Sequence, residues 1–569
     1  MIAALRTIFD SPRLVPAAVV LLLFAGLSAS LAAQAEGGEE RSSDLQAGPG
    51  LPEETEIKLP DTLLEVEELA VEEIRAELPE SPDVPIRPID LPLPEEEELR
   101  VAGGAFALPA PATGADVPEQ DDRSSYFASG ILGAGSMSHI EGALSLSKLG
   151  SDPRLRFQFS HSGLDGYDFR DPGTGYFRSR TYIDGLVAGA LGSFDTEGSA
   201  SFLEEEQGLQ GNPNFYSANL RFIELGGDTS YPVSESVELG AALEGRIANR
   251  ILTIKAAQAA PPRVNELSLR PSLRSLFTLG DASISADTWY SLQGYTGGRG
   301  EMQSLGLRVA ADAPVTSELF VGGNVGLYWP FGGDLRVPFG LSITATVEDL
   351  VTLELSGGYE AGPRSLFELW QEEPLLADDA GNSLPLADRR AWVGRADLSW
   401  NVLSRRLVVS GGVDVEYDET GLSPAVYDAA TGVFPVSQGP RTRVKPDAAL
   451  TYRAGLFTAE FSGTGSFIDP SPLEPRYELG VLADLATEDR EISGSVELRT
   501  PFFPEPALPV IRGELGFRVV EGLRILLRLH DPLAPILDAG RPRYGSSVND
   551  DYPFIAPGFR FSLSTEISL

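Results

Sequence analysis

Few residues in this sequence have the types and spacing that chemistry needs. The chain has no cysteine and three histidines, His139, His161 and His530, which excludes disulfides, thiolate metal sites and a cysteine nucleophile. Ser138 precedes His139, and Ser162 follows His161. Because neighbouring residues of a strand point to opposite faces, neither pair can form a Ser/His dyad within its own strand. We therefore predict no catalytic residue and no enzyme activity.

The sequence also contains few motifs that could bind a metal or a cofactor. The glutamate run 95–98 offers oxygen ligands of the kind that Ca²⁺ prefers, but the sequence has no EF-hand loop around a turn glycine. The glycine-rich stretch 297–300 lacks the Lys-Ser/Thr pair and the following helix of a phosphate-binding loop. We predict solvated charge in the first case and a turn in the second, with no metal and no cofactor.

The charge of the whole chain restricts its partners. The 569 residues carry 83 acidic and 44 basic side chains, which gives a net charge of −39. Nucleic-acid binding depends on clustered Lys and Arg against phosphates, so we predict no nucleic-acid partner. Composition alone does not name a substrate.

The first residues have the pattern of an export signal. Arg6 and Arg13 precede an apolar run over 14–33, and Ala33-Gln34-Ala35 fits a small-x-small cleavage site. We predict a signal peptide over 1–35 that is cleaved after export, the alternative being an uncleaved anchor, since the run is long enough to span a bilayer. Export of a cysteine-free chain suits the envelope of a diderm bacterium.

Residues 36–123 differ in composition from the rest of the chain. They hold 25 acidic residues against six basic ones, and prolines recur between Pro79 and Pro94. Such a segment buries too little apolar surface to offset the entropy of ordering, so we predict a largely disordered periplasmic arm. Leu64, Val71 and Leu78 recur every seven residues, which predicts a short partner-binding helix over 61–78; the alternative is a solvated acidic arm throughout.

Residues 124–569 alternate between apolar and polar residues with a period of two. Arg154 to Ser160 and Val351 to Ser356 are examples, and such alternation predicts strands with one apolar face. We count about 20 to 22 segments of roughly 9 to 13 residues. Tight polar turns such as 402–406 alternate with long polar links such as 371–387. This asymmetry is typical of outer-membrane barrels.

A barrel in lipid explains the strand length and the composition of both faces. A tilted strand needs about 9 to 11 residues to cross a bilayer, and a spanning sheet must close on itself because lipid offers backbone groups no hydrogen bonds. The alternative fold is a secreted β-propeller or sandwich. Aromatic residues near the segment ends predict interfacial girdles; they are Tyr126, Phe127, Phe215, Tyr216, Trp289, Tyr290, Tyr328, Trp329, Trp392 and Trp400.

Two stretches resemble TonB-dependent receptors. In 358–376, Pro363, Ser365, Leu366 and Leu369 resemble the Pro-small-Leu-x-x-Leu loop of those barrels, with one residue inserted after the proline. In 541–569, a tyrosine and a Pro-Gly-Phe turn at 557–559 lead into the last strand, as in the endings of those receptors.

The resemblance covers the barrel region only, and implies about 22 strands and receptor-like uptake. Two features depart from the family. Leu569 stands at the end of the sequence where outer-membrane barrels usually have Phe, and the arm over 36–123 cannot fold as the plug domain that such receptors carry. The resemblance therefore implies a barrel without a plug, or one closed by another chain or by its own loops.

The sequence thus predicts an all-β protein, a large antiparallel transmembrane barrel over 124–569 in the cell outer membrane. The leading hypothesis is passage or uptake of a solute, selected by lumen width and lining charge. The alternative is a structural or binding protein that anchors envelope partners. Expected partners are outer-membrane lipid, the barrel assembly machinery and a periplasmic partner of the arm, of TonB type or another kind. Predicted lumen-facing residues are Arg154, Arg156, Asp414, Glu416, Arg512 and Glu514.

Overall fold

The computed structural model describes residues 125–568, apart from several short gaps. The gaps are 151–152, 256–263, 296–300, 349, 379–387, 404–405, 472, 488, 490, 504, 538–539 and 544–553. The predicted signal peptide 1–35, the arm 36–123 and the helix 61–78 lie outside the described residues, so they stay predictions.

The described chain is built almost entirely from strands. In chain order they are β1 (Ser125–Gly135), β2 (Ile140–Leu149), β3 (Arg154–Asp165), β4 (Phe177–Leu191), β5 (Phe194–Gly208), β6 (Phe215–Ser234), β7 (Val237–Ile254), β8 (Val264–Leu279), β9 (Ala282–Tyr295), β10 (Glu301–Pro314), β11 (Leu319–Pro330), β12 (Phe339–Val347), β13 (Val351–Gly362), β14 (Arg389–Val402), β15 (Leu407–Pro424), β16 (Val436–Ala454), β17 (Phe457–Gly465), β18 (Phe467–Ile468), β19 (Tyr477–Ala486), β20 (Ile492–Phe503), β21 (Glu505–Pro506), β22 (Val510–Val520), β23 (Leu523–His530) and β24 (Arg560–Ser568). One α-helix, α1 (Leu366–Glu372), lies between β13 and β14. Two single-turn 3₁₀ helices cover Tyr167–Phe169 and Ala534–Ile536.

The strands close into one antiparallel barrel. β18 continues β17 after a one-residue break and β21 folds back on β20, so 22 long strands form the wall. Each long strand pairs with its neighbour in sequence, and β1 pairs with β24 from Ser129↔Ser568 to Gly135↔Ser562. The predicted barrel is confirmed, and the propeller and sandwich alternatives are excluded.

Strand lengths differ from the predicted 9 to 13 residues. β6 has 20 residues, β16 has 19 and β23 only eight. Period-two alternation stops where a strand rises beyond the bilayer, so the pattern underestimates strands whose ends pair above the membrane.

The connections differ between the two ends of the barrel. At the short-turn end, which also holds the start of β1 and the end of β24, the turns contain two to five residues. At the long-loop end the connections contain up to 29 residues, the longest lying between β23 and β24. Gly192 and Gly280 adopt positive φ angles of 67° and 62° in two-residue turns, a backbone region that glycine enters without steric cost.

The register separates the strand residues into two faces. Residues paired directly across neighbouring strands share a face, and this assignment stays consistent around the closed ring. One face carries rows of exposed apolar side chains, for example Leu307 paired with Leu327, and Leu355 and Leu398 farther round. We call this the outer face, and the opposite one the inner face.

Aromatic rings mark two levels of the outer face. Near the long-loop end, the ring of Trp392 lies 5.8 Å from Phe339 and 5.2 Å from Tyr359. Trp400 lies on the same face of β14 near the short-turn end, eight residues farther along. Eight residues span about 27 Å along a strand, or about 20 Å along the barrel axis at a tilt of about 40°. Such a band suits the apolar layer of an outer membrane.

Four of the aromatic residues predicted for the girdles instead lie on the inner face. One is Phe127, which pairs with Ser147, the residue opposite the inner-face Arg156. Trp289 shares the inner face with Arg270, which stacks on its ring at 4.9 Å. Tyr328 and Phe215 are also buried on the inner side, with exposed fractions of 1% and 6%. An aromatic residue at a strand end has the same sequence pattern around it whichever face it occupies. Only the strand register shows that these residues lie on the inner face.

The helix α1 is the element that sequence alternation missed. Ser365 caps its N-terminus by accepting a hydrogen bond from the backbone of Phe367 at 3.1 Å. Four of its residues, Leu366, Phe367, Leu369 and Trp370, are buried. With seven residues the helix is too short to show a convincing 3.6-residue period. Among the residues described, no helix has the length and apolarity needed to cross a bilayer.

Candidate functional site

Ion pairs cover the inner face of the barrel. Arg274 pairs with Asp287 at 2.9 Å between β8 and β9, and Arg499 on β20 pairs with Glu478 at 3.2 Å. These groups are partly exposed, so each pair contributes little to stability by itself. Their common effect is a hydrated, charged wall opposite the apolar outer face.

The six residues predicted to face the lumen all lie on the inner face, distributed around the ring. Arg156 pairs with Asp184 at 3.2 Å, Arg512 with Glu497 at 3.2 Å, and Glu514 with Arg528 at 2.8 Å. Asp414 lies 3.7 Å from Arg395, Glu416 binds Arg389 at 2.9 Å, and Arg154 lines a recess of about 190 Å³ near the short-turn end. The structure does not gather them into one site, and their part in solute passage stays a prediction.

A recess of about 400 Å³ lies in the inner wall at β13–β16. Glu416 stands at its centre and holds Arg389 at 2.9 Å and Arg443 on the neighbouring strand. Lys445 on the same wall pairs with Glu474 at 3.0 Å. Because acids and bases alternate across the recess, its charge is largely compensated.

The mouth at the long-loop end is filled by an apolar cluster. Three connections contribute to it: Trp370 from the β13–β14 connection, Phe434 from β15–β16 and Phe554 from β23–β24. They pack against the strand residues Leu220 and Phe222 of β6. Phe222 meets Phe367 of α1 edge-on at 5.2 Å between ring centroids.

This cluster lies inside the barrel. At a strand spacing of about 4.8 Å and a tilt of about 40°, 22 strands enclose a backbone cylinder of about 44 Å diameter. The β13–β14 connection begins six strands away from β7, yet α1 contacts β7. A connection rooted that far round the ring reaches β7 across the mouth, so it packs on the inner face of the wall.

The polarity of the two faces inverts on β6 where this packing occurs. Toward the long-loop end, the inner positions of β6 are apolar and include the fully buried Leu220; its neighbour Ala248 on β7 is also apolar and fully buried. The outer positions at the same level are polar: Glu204 accepts hydrogen bonds from Asn219 at 3.0 Å and from Arg221 at 2.8 Å. The prediction of a polar face in the lumen and an apolar face in lipid therefore fails on β6 at this level.

Two buried charges on the wall hold the β13–β14 connection. The Glu266 carboxylate, 1% exposed, accepts hydrogen bonds from the Ser365 hydroxyl at 2.6 Å and from the Leu366 backbone N–H. Arg250 stacks on Trp370 at 4.6 Å and pairs with Asp378 at 3.1 Å.

Other polar contacts continue this attachment. Arg246 on β7 donates to Glu368 at 3.2 Å and lies 5.3 Å over the Phe367 ring. At the root of the connection, Arg364 donates to Asp418 of β15 at 3.0 Å. The barrel wall therefore binds α1, the residues that follow it and the start of the β13–β14 connection.

The last connection is held in the same manner. Arg541 forms a two-pronged ion pair with Asp531, which is fully buried, with one N–O distance of 2.6 Å. The Gln210 side chain donates to the Ile555 carbonyl at 2.8 Å and accepts from its N–H at 2.7 Å. Such paired hydrogen bonds fix backbone position as well as adding energy.

His161 and Ser162 are separated by the barrel wall. His161 lies on the outer face, its Nδ1 2.9 Å from the Thr181 hydroxyl, while Ser162 lies on the inner face. His139 lies between β1 and β2, where burial lowers its pKa. Among the described residues, no group of three or more His, Asp or Glu side chains has a geometry that suits a metal ion.

The barrel resembles solved outer-membrane structures. The copper transporter OprC aligns with a TM-score of 0.60 at 13% identity, over 80% of this chain and 81% of that chain. The FrpB iron transporter from Neisseria meningitidis aligns at 0.59 and 10%, over 79% and 81%. The siderophore receptor PirA from Pseudomonas aeruginosa aligns at 0.56 and 10%, over 79% and 81%.

This likeness is one of fold. The resemblance to TonB-dependent receptor barrels that 358–376 and 541–569 predicted is confirmed at that level. The sequence itself matches no protein-family model, and it matches no curated protein. In the structure, 358–376 covers the end of β13 and α1, and residues 557–559 lead directly into β24.

Proposed function

We propose that this chain is an outer-membrane barrel for uptake of a polar solute. The observation that carries the proposal is a closed 22-strand wall with an apolar outer belt and an ion-paired inner face. A wall that needed only to anchor a partner would gain no stability from so many hydrated inner charges, because surface ion pairs contribute little each. A charged inner wall instead suits contact with a polar solute.

The orientation follows from the connections. Outer-membrane barrels place short turns in the periplasm and long loops outside the cell. The short-turn end then faces the periplasm, where the predicted arm over 36–123 precedes β1. The apolar cluster of α1, the β15–β16 connection and the β23–β24 connection lies on the extracellular side, where it controls entry.

Selection in this proposal acts through the compensated wall. Arg154, Arg156, Asp414, Glu416, Arg512 and Glu514 contact the passing solute. Because acids and bases alternate, the wall favours neutral or dipolar polar solutes over strongly charged ones. The similar structures are a copper transporter, an iron transporter and a siderophore receptor, and a metal complex is one solute class to test.

The direct test is flux through the purified full chain. In proteoliposomes, we expect slow uptake of small polar solutes in the native chain and faster uptake after deletion of 365–377. A deletion variant that forms a heat-modifiable barrel yet passes no solute would refute uptake through the lumen. In that case, the structural or binding alternative, with the filled mouth as a rigid outer surface, would replace it.

The arm supplies the proposed periplasmic contact. A segment of net charge −19 over 36–123 suits a basic periplasmic partner, of TonB type or another kind. Binding of the isolated arm peptide to a TonB C-terminal domain, compared with a charge-matched scrambled peptide, tests this contact. Equal binding of the two peptides would show that the arm and the TonB domain attract each other only through nonspecific charge.

A further inference from the structure

We propose that the segment 364–378, here called the stopper, is a displaceable part of the mouth that a polar latch on β7 and β8 holds in place. The latch consists of Arg250, Glu266 and Arg246. The inference rests on the proposed function, because it describes how access to the lumen is controlled.

The wall carries a site shaped for the stopper. Leu220, Phe222 and Ala248 form an apolar patch on an inner face that elsewhere carries many ion pairs, and Phe367 contacts Phe222 within it. Burial of this patch favours the closed position, because exposed apolar surface in a water-filled lumen is unfavourable.

The latch makes that position reversible. Glu266 and Arg250 belong to the wall. Glu266 accepts hydrogen bonds from Ser365 and Leu366 of the stopper, and Arg250 donates to Asp378 of the stopper. When the stopper leaves, both charges meet lumen water instead of an apolar interior. Hydration then replaces most of the lost hydrogen bonding, so opening leaves no unpaired buried charge.

The stopper moves together with one other connection. The Ala377 N–H donates to the Phe434 carbonyl at 2.9 Å, and the Phe434 N–H donates to the Leu375 carbonyl at 2.8 Å. Arg364, at the root of the stopper, binds Asp418 on β15, the strand that leads into that connection. Displacement therefore pivots on the β13–β15 side and separates from the β6–β8 side.

The absence of cysteine allows a direct test of position. Ala248 lies beneath the stopper and is fully buried, so A248C in the full-length chain reports whether the stopper covers it. In proteoliposomes with a charged, membrane-impermeant methanethiosulfonate reagent, we expect slow labelling of A248C. Adding R250Q and E266Q to A248C is expected to raise the labelling rate at least tenfold.

The matched control is R274Q with D287N in the A248C chain. This pair has a similar separation of 2.9 Å and lies on the neighbouring wall strands β8 and β9. It should leave the labelling rate unchanged. Equal rates in the latch variant and the control would overturn the proposal, as would fast labelling of A248C alone.

A second variant tests the proposal independently in case the latch variant misfolds. W370A removes the largest side chain of the stopper and leaves the wall charges intact, and should also raise labelling of A248C if the barrel keeps its heat-modifiable migration. No increase in a folded W370A barrel would overturn the proposal. Labelling reports the stopper alone, so faster labelling without solute flux would refute uptake while the stopper inference stands.

Discussion

At the scale of single residues, glycine is required where a strand backbone passes very close to an aromatic ring on the neighbouring strand. Gly306 lies directly opposite Trp289 on the inner face, and a Cβ atom at Gly306 would overlap the Trp289 ring. We expect G306A to displace the ring from Arg270 and to lower the free energy of unfolding by about 1–3 kcal/mol. Urea unfolding in detergent micelles measures this change.

The control for G306A is Gly227, which has open space around its Cβ position within a long strand. G227A should match the native chain or exceed it slightly, since alanine reduces the entropy of the unfolded chain. If both variants lose the same stability, crowding at Trp289 is not the cause.

A second residue-scale prediction concerns Asp388, just before β14. Burial raises its pKa, and its oxygen Oδ1 has no hydrogen-bond partner among the described residues. Because the folded form takes up the proton more readily, this group favours folding at acid pH, and that contribution is lost as pH rises through the raised pKa. D388N should therefore raise the melting temperature at pH 7.5 and have little effect near pH 3.

Asp489, in a short turn, provides a control of opposite sign. Hydrogen bonds from Thr487 and from the Glu491 backbone lower its pKa. The contribution of Asp489 to folded-state stability is present at neutral pH and is lost as pH falls through the lowered pKa. D489N should lower the melting temperature at pH 7.5 and leave it unchanged at acid pH. If D388N and D489N shift the melting temperature in the same direction at pH 7.5, the opposite signs assigned to the two pKa shifts are wrong.

At the scale of the strand, the two faces should respond differently to the same charge. Leu355 on the outer face pairs with Ala396, which lies midway between Trp392 and Trp400. L355R is expected to lower the free energy of unfolding in liposomes by about 2–4 kcal/mol, because the charge enters the middle of the apolar layer.

The neighbouring residue Ser356 supplies the matched control, since it points to the inner face and lines the recess at β13–β16. S356R should change the free energy of unfolding by no more than about 0.5 kcal/mol. If S356R destabilises the barrel as much as L355R does, the outer and inner faces have been assigned the wrong way round on β13.

At the scale of the whole molecule, ring closure depends on residues within the barrel. The described seam between β1 and β24 runs from Ser129↔Ser568 to Gly135↔Ser562, within the barrel strands. We expect deletion of 36–123 to leave assembly and heat-modifiable migration unchanged and to remove partner-dependent uptake. Loss of assembled barrel in this variant, measured in outer-membrane fractions, would show that the arm takes part in folding.

The barrel was predictable from the residue pattern alone. Period-two alternation predicted about 20 to 22 strand segments, and the wall has 22 long strands, because one face must meet lipid and the other water. It also placed the short turns and the long connections, since turn residues follow local backbone rules. These features depend on neighbours close in the chain.

The apolar cluster in the mouth was not predictable from the residue pattern. Phe222, Trp370 and Phe554 are far apart in the chain and meet because the ring brings three connections over β6 and β7. Glu266 and Arg250 have the same alternation as any lumen residue, and nothing local marks them as partners of the stopper. Strand alternation encodes which face a residue occupies, whereas the contents of the lumen follow from contacts between connections across its width.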